Sequence, residues 1–265
     1  MSMRPAPVAP RLRAAALLAL LATTAQVAPL AGQQPQPTAE QLTPQHRAED
    51  ERLRNDWAGL QHYRAANAAL RPPAPGEQRV VFMGNSITEA WAPYFATMFP
   101  GRPYIGRGIS GQTTPQMLVR FRQDVIALQP AVVVILAGTN DIAGNIGPST
   151  LEMIEDNLMS MTELAQAHGI RVVLASVLPA YDYRWRPGLQ PAPKIVALNA
   201  WMRDYAARVG AVYLDFHSAM ADERQGLRAD LTRDGVHPTE AGYRVMAPLA
   251  ERAIAEALRR RAAGG

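Results

Sequence analysis

The chain contains no cysteine, and that single absence excludes both a disulfide framework and a lipid anchor attached through a lipobox cysteine. It has no His-x-x-x-His pair either, so a zinc site of the usual kind has no ligand set to draw on. No lysine follows the turn Gly108-Ile109-Ser110-Gly111-Gln112-Thr113 as a P-loop would require, which leaves phosphate or nucleotide binding there weakly supported. An excess of one charge is also missing from most of the chain. The net charge is +4, but Arg4, Arg11 and Arg13 fall in residues 1–32, which hold no acidic residue, so the remainder carries +1. A nucleic-acid partner therefore loses its main electrostatic support. The basic ending Arg259-Arg260-Arg261 reads more simply as a cationic helix C-terminus facing the helix dipole.

What is present fits one globular domain, since 265 residues at 48% hydrophobic composition can bury a full core. Residues 1–32 run from arginines through Ala14-Ala15-Ala16-Leu17-Leu18-Ala19-Leu20-Leu21-Ala22 to small and polar residues, the order of a secretory signal peptide. Cleavage is expected after Ala25 or near Gly32. A retained anchor is the rival, although Thr23, Thr24, Gln26 and Pro29 interrupt the apolar run. An exported, periplasmic or secreted protein is the expectation, with no stable membrane partner once the signal is removed. Residues 33–45 are rich in Gln, Pro and Thr and read as a disordered linker. Residues 46–78 form an N-terminal helix over His46 to Leu70, striped by Leu53, Trp57, Leu60 and Ala68, and a connection begun by Arg71-Pro72-Pro73. The main domain is 79–262.

In that domain apolar runs of strand length alternate with amphipathic stretches of helix length. Strands are expected at Arg79–Met83, Tyr104–Gly106, Ala131–Ala137, Arg171–Val177 and Ala211–Asp215. Helices are expected at Ile87–Met98, Pro115–Leu128, Leu151–Ala167, Lys194–Val209 and Glu240–Arg261. Runs such as Val132-Val133-Val134-Ile135-Leu136 lack polar alternation, as parallel strands covered on both faces do. The fold class is α/β: a three-layer α/β/α sandwich around a flavodoxin-like, five-stranded parallel sheet. In such sheets ligands bind at the carboxyl ends of the strands. Ser86, Gly108 and Asn140 each follow an apolar strand, which places all three at that edge, and His237 can fold back from the loop before the last helix.

A serine hydroxyl is a poor nucleophile at neutral pH until an imidazole takes its proton, and the imidazole needs a carboxylate to hold its tautomer. Of the five histidines, His237 alone has an acid, Asp234, at this spacing with a glycine turn between, in Asp234-Gly235-Val236-His237-Pro238. His217, two residues after Asp215, is the competing base. Each block also has a plain structural account. Ser86-Ile87-Thr88-Glu89 matches a helix-capping box, Asn140 can begin a turn, the glycines can permit tight turns, and Thr239 can cap the last helix. The loop Tyr181 to Gly188 leaves the fourth strand at the same edge, where Tyr183 and Trp185 could touch substrate or simply cover the core.

Together, Gly84-Asn85-Ser86-Ile87-Thr88, Gly106-Arg107-Gly108-Ile109-Ser110-Gly111, Gly138-Thr139-Asn140-Asp141 and the Asp234–His237 block resemble the SGNH hydrolase family, also called GDSL esterases. The resemblance runs from about Arg79 to the C-terminal helix. It implies Ser86 as nucleophile, His237 as general base, Asp234 as the acid that orients it, and Ser86, Gly108 and Asn140 as oxyanion-hole donors. Asn85 stands where the family usually has Asp, as in a bacterial branch with a Gly-Asn-Ser-Ile-Thr block; it is a candidate to influence the serine's surroundings or bind substrate. No cofactor or metal is called for. The expected substrate is a small acyl ester, most simply acetate on a carbohydrate, because little chain is left over for a lid. A lipolytic acylhydrolase of lysophospholipase or thioesterase type and a non-hydrolytic acyl-glycan binder are the alternatives.

Overall fold

The computed structural model describes residues 44–260; the signal-peptide expectation and nearly all of the linker lie outside them. Five strands form one parallel sheet: β1 (Val80–Gly84), β2 (Tyr104–Gly108), β3 (Val132–Leu136), β4 (Arg171–Ala175) and β5 (Val212–Leu214), in the order β2-β1-β3-β4-β5. This is the flavodoxin-like order expected from the sequence. Strand order reverses beside β1, which has β2 on one side and β3 on the other. In open parallel sheets ligands bind at such a point, above the carboxyl ends of the strands.

Alternation along the strands assigns each residue to one of two buried layers. Val81, Met83, Val133, Ile135, Val172 and Leu174 pack with Met117 and Phe121 of α5 (Thr114–Asp124), Leu158 of α7 (Leu151–Ala167) and Leu198 of α8 (Ala192–Val209). Val80, Phe82, Val132, Val134 and Val173 face Trp91 of α3 (Ser86–Trp91) and Met246 and Ile254 of α10 (Glu240–Arg259). Both faces are covered, hence the unbroken apolar runs. The remaining helices are α1 (Pro44–Asn55) and the short α2 (Arg64–Ala69), α4 (Phe95–Met98), α6 (Thr139–Ile142) and α9 (His217–Met220).

Four expected helices are shorter than the sequence suggested. The one expected at Pro115–Leu128 ends at Asp124 and is followed by a separate 3-10 turn over Ile126–Leu128. The N-terminal one is broken into α1 and α2, because Asp56 takes the backbone N–H groups of Leu60 and Gln61 at 2.7 and 2.9 Å and Gly59 turns at φ +69°. Trp57 is left 40% exposed, so the proposed stripe does not form. The helix after Ser86 is split into α3, a 3-10 turn over Ala92–Tyr94 and α4, with Pro93 at the break. The last helix ends at Arg259, and Arg260 instead donates to the carbonyls of Gly210 and Ala211. Its guanidinium therefore ties the helix end to the start of β5 as well as complementing a dipole.

Candidate active site

Gly84-Asn85-Ser86 makes the step from β1 into α3, and close packing dictates its composition. A side chain on Gly84 would begin 2.1 Å from Thr88 Oγ1, and one on Gly108, at the end of β2, would begin 2.2 Å from the Glu89 nitrogen and 2.5 Å from the Asn85 oxygen. Neither space exists. The glycines let the first turn of α3 sit directly on the sheet edge, and Ser86 sits on that turn. We expect Gly108→Ala to shift α3 and with it Ser86; since misplacing a reacting group by about 1 Å can cost about 100-fold, kcat should fall by roughly that much. Steady-state assays alongside a melting curve would check this, and near wild-type kcat would contradict it.

The capping box suggested for Ser86 is not formed. Asn85 is the cap, its Oδ1 accepting the Ile87 N–H at 3.0 Å, and Glu89 Oε2 instead takes the Ser110 N–H at 2.9 Å and the Ser110 hydroxyl. Ser86 Oγ is thereby left for another partner. It lies 2.9 Å from His237 Nε2, and His237 Nδ1 lies 2.7 Å from Asp234 Oδ2. His217 does not take that place. It is buried at the start of α9, with its backbone N–H on Ser176 Oγ.

The loop carrying His237 is built by Asp234 itself. Asp234 Oδ1 accepts the N–H groups of Val236 at 3.0 Å and His237 at 2.8 Å, while Gly235 supplies the left-handed turn at φ +83°. Thr232 Oγ1 donates to the His237 carbonyl at 2.8 Å and fastens the loop's other side. Burial pushes the Asp234 pKa up, but the His237 N–H, the His237 ring and the Val236 N–H outweigh it and hold the carboxyl at about 2. Asp234 is therefore ionised across the working range of any hydrolase near neutrality. Its ring partner presents the far nitrogen to Ser86 Oγ.

Asn140 lies in α6, just past β3, and is buried. Its Nδ2 donates to the Gln112 carbonyl at 2.8 Å, which uses one of two amide hydrogens and leaves the other. Asp141, next to it, binds Thr114 through both its N–H and its hydroxyl, the latter at 2.6 Å, so α6 is clamped to the start of α5. Gly108, Ser86 and Asn140 thus come to the same sheet edge from three strands.

Beneath them lies a buried cation that the sequence did not single out. Arg120, on α5, is 0% exposed. Its guanidinium donates to Gln112 Oε1 at 2.5 Å, to Asp124 Oδ2 at 2.9 Å, and to the carbonyls of Gly84 and Arg107 at 2.9 Å each. The Arg107 carbonyl belongs to the peptide whose N–H is that of Gly108, so the cation polarises that N–H outward. Gln112 is the residue whose carbonyl holds Asn140. One side chain therefore braces both flanks of Ser86. Residues ahead of the sheet complete the brace: Asn67 joins Asp124 at 2.6 Å and Arg107 at 2.8 Å, and the Tyr63 hydroxyl donates to the Gly108 carbonyl.

Two candidate contact residues are relocated by the structure. Tyr183 is 0% exposed, with its hydroxyl 2.8 Å from Thr139 Oγ1; its ring belongs to the core and is not available to a substrate. Asn85 is 1% exposed and occupied as a cap, so it acts on Ser86 through the backbone and does not line a substrate surface. Trp185, by contrast, is 42% exposed, stacks on Tyr183 at 4.9 Å and lies 6.5 Å from the His237 ring centroid. Its Nε1 donates to Asn145 Oδ1 at 3.1 Å, which ties the loop to the segment after α6.

A strand-turn-helix serine joined to imidazole and carboxylate on a 2-1-3-4-5 parallel sheet describes a hydrolase-type site. Residues 82–245 match the GDSL-like Lipase/Acylhydrolase family, and the chain belongs to that family. It is similar to a crystal structure of a Bacteroides fragilis protein assigned as an acylhydrolase (48% identity, 77% of this chain and 100% of that one, TM-score 0.75). It is also similar to a GDSL-like lipase from Bacteroides thetaiotaomicron (46% identity, 76% and 100%, TM-score 0.74). An acetylxylan esterase from Xylanibacter ruminicola is 24% identical over 220 residues, 69% of this chain. This chain spans only 44% of that esterase's length.

Proposed function

We propose that this protein is a serine-dependent carboxylic ester hydrolase that removes small acyl groups, acetyl from O-acetylated carbohydrate in particular, through a covalent acyl-enzyme. The observation that carries the proposal is the chain Ser86 Oγ, His237 Nε2, His237 Nδ1, Asp234 Oδ2, at 2.9 and 2.7 Å across its two gaps. In this mechanism His237 takes the Ser86 proton as Oγ attacks the ester carbonyl. The alkoxide of the tetrahedral intermediate is held by the N–H groups of Ser86 and Gly108 and the second Asn140 amide hydrogen. Loss of one such donor typically costs about 3 kcal/mol of transition-state stabilisation. His237 then protonates the departing alcohol, and a water activated by the same imidazole releases the acid. The fixed Asp234 carboxylate favours the imidazolium at both stages.

Family membership supports ester hydrolysis; it does not choose the acyl group. The preference for acetate is supported by the name of the Xylanibacter relative and by Trp185, whose half-exposed ring stands 6.5 Å from the His237 ring. Export remains part of the proposal, resting on the N-terminal order of charge, apolar run and small residues. Hydrolysis of 4-nitrophenyl acetate, butyrate and octanoate by wild type and Ser86→Ala is the test. The expected result is a rate that depends on Ser86 and kcat/KM falling at least tenfold from acetate to octanoate. A rising series would indicate a lipolytic acylhydrolase. Ligand retention with no turnover would instead make the protein an acyl-glycan binder.

A further inference from the structure

The stretch between α1 and α2 lies ahead of residues 82–245, which match the family, yet it is fastened to the loop that carries Gly108. Asp56 captures the Leu60 and Gln61 N–H groups and interrupts the helix. Three of the carbonyls so released accept side-chain amides: Trp57 from Gln116 at 2.7 Å, Ala58 from Gln112 at 2.7 Å and Leu60 from Gln123 at 2.9 Å. Gly59 then lies directly against the loop. A Cβ there would begin 3.0 Å from Gln112 Nε2 and 3.1 Å from Ile109 Cδ1.

The contact nearest the chemistry is made by Tyr63. Its hydroxyl donates to the Gly108 carbonyl, and the N–H of that same peptide, from Ile109, donates to the Gly84 carbonyl at 3.2 Å. The peptide on the other side of Gly108 is held through its carbonyl by Arg120. Glycine has the widest backbone freedom of any residue, so the direction of the Gly108 N–H depends on both flanking peptides being held from outside. Tyr63 is itself fixed. The Arg107 guanidinium lies 4.7 Å from its ring centroid and the His62 ring meets its edge at 4.5 Å. His62 Nε2 stands 3.6 Å from Glu89 Oε1, while Glu89 Oε2 holds Ser110. Burial raises the Tyr63 pKa, so the hydroxyl stays a donor. The loop is thus gripped at Gly108, Ser110 and Gln112.

We infer that residues 57–67 form a clasp on this loop and that Tyr63 is a positioning residue, acting through the Gly108–Ile109 peptide to aim the Gly108 N–H at the reacting oxygen. The role rests on the esterase proposal, which assigns that N–H to the oxyanion. Tyr63→Phe keeps the ring and removes only the hydroxyl. With 4-nitrophenyl acetate its kcat per folded enzyme should fall about tenfold, a fraction of the roughly 100-fold that misplacing a reacting group by about 1 Å can cost, while KM stays near wild type. Phenylboronic acid, whose boron accepts the Ser86 oxygen to give an anionic tetrahedral centre, should bind about tenfold more weakly, in step with kcat, as a transition-state mimic does. Gly59→Ala, strained at φ +69° and pressed against Gln112 and Ile109, should lower both in the same way. A Tyr63→Phe enzyme with wild-type kcat, whether or not its melting temperature falls, or one whose kcat falls while boronic-acid affinity does not, overturns the positioning role and leaves the esterase standing. Absence of any Ser86-dependent hydrolysis in wild type overturns both.

Discussion

Replacing Arg120 with methionine is expected to destabilise the protein by about 3–5 kcal/mol, the usual cost of removing one partner of a buried ion pair. The size follows from what remains behind. Asp124 would keep a buried charge with Asn67 as its remaining side-chain partner among those described, and the Gly84 and Arg107 carbonyls and Gln112 Oε1 would each lose a donor. Arg120→Lys should recover only part of this, because one ammonium cannot reproduce a planar fork that reaches four acceptors. The loss should also extend to kcat in conditions where the variants are fully folded, since Gly108 and the Asn140 support both hang on this side chain. Urea unfolding at neutral pH measures the first effect. A change below 1 kcal/mol for Arg120→Met would show that the brace contributes little.

Ser86→Ala and His237→Ala should each lower kcat by about 10⁴–10⁶-fold, and the double variant should be scarcely worse than either, because nucleophile and base act as one unit. Independent, multiplying losses would mean that the two side chains do not share a proton. The pH dependence of the wild type carries a related expectation. A carboxyl held at about 2, below its ordinary 3.8, contributes to stability above the ordinary value and loses that contribution as pH falls toward 2. Mild acidification therefore leaves Asp234 ionised, and urea unfolding at pH values above its ordinary 3.8 should show no loss of this contribution.

Much of this was legible in the sequence because it depends on features that repeat along the chain. Apolar runs without alternation gave the buried strands, and the small residues after three of them marked one edge of one sheet. Asp234 and His237 were legible because their geometry is local: a carboxylate that caps its own loop also meets the ring three residues on. The brace was not legible. Arg120 lies on an amphipathic helix, where an arginine ordinarily marks the solvent face, and two of its four acceptors are backbone carbonyls, which leave no trace in residue identity. Tyr183 was misplaced for a similar reason, since a loop full of aromatics does not disclose which ring turns inward; its hydroxyl found Thr139 and left Trp185 outside. The break between α1 and α2 was visible in principle, in Asp56 and Gly59, but an apolar stripe outweighed them.

The central claim is that Ser86 forms the covalent bond, and labelling addresses it without any knowledge of the natural substrate. The full protein treated with a fluorophosphonate probe, then digested and analysed by mass spectrometry, should carry a single adduct on the peptide containing Ser86, with labelling abolished in Ser86→Ala and strongly slowed in His237→Ala. An adduct on another residue, or an unlabelled protein that still hydrolyses 4-nitrophenyl acetate, would contradict the account.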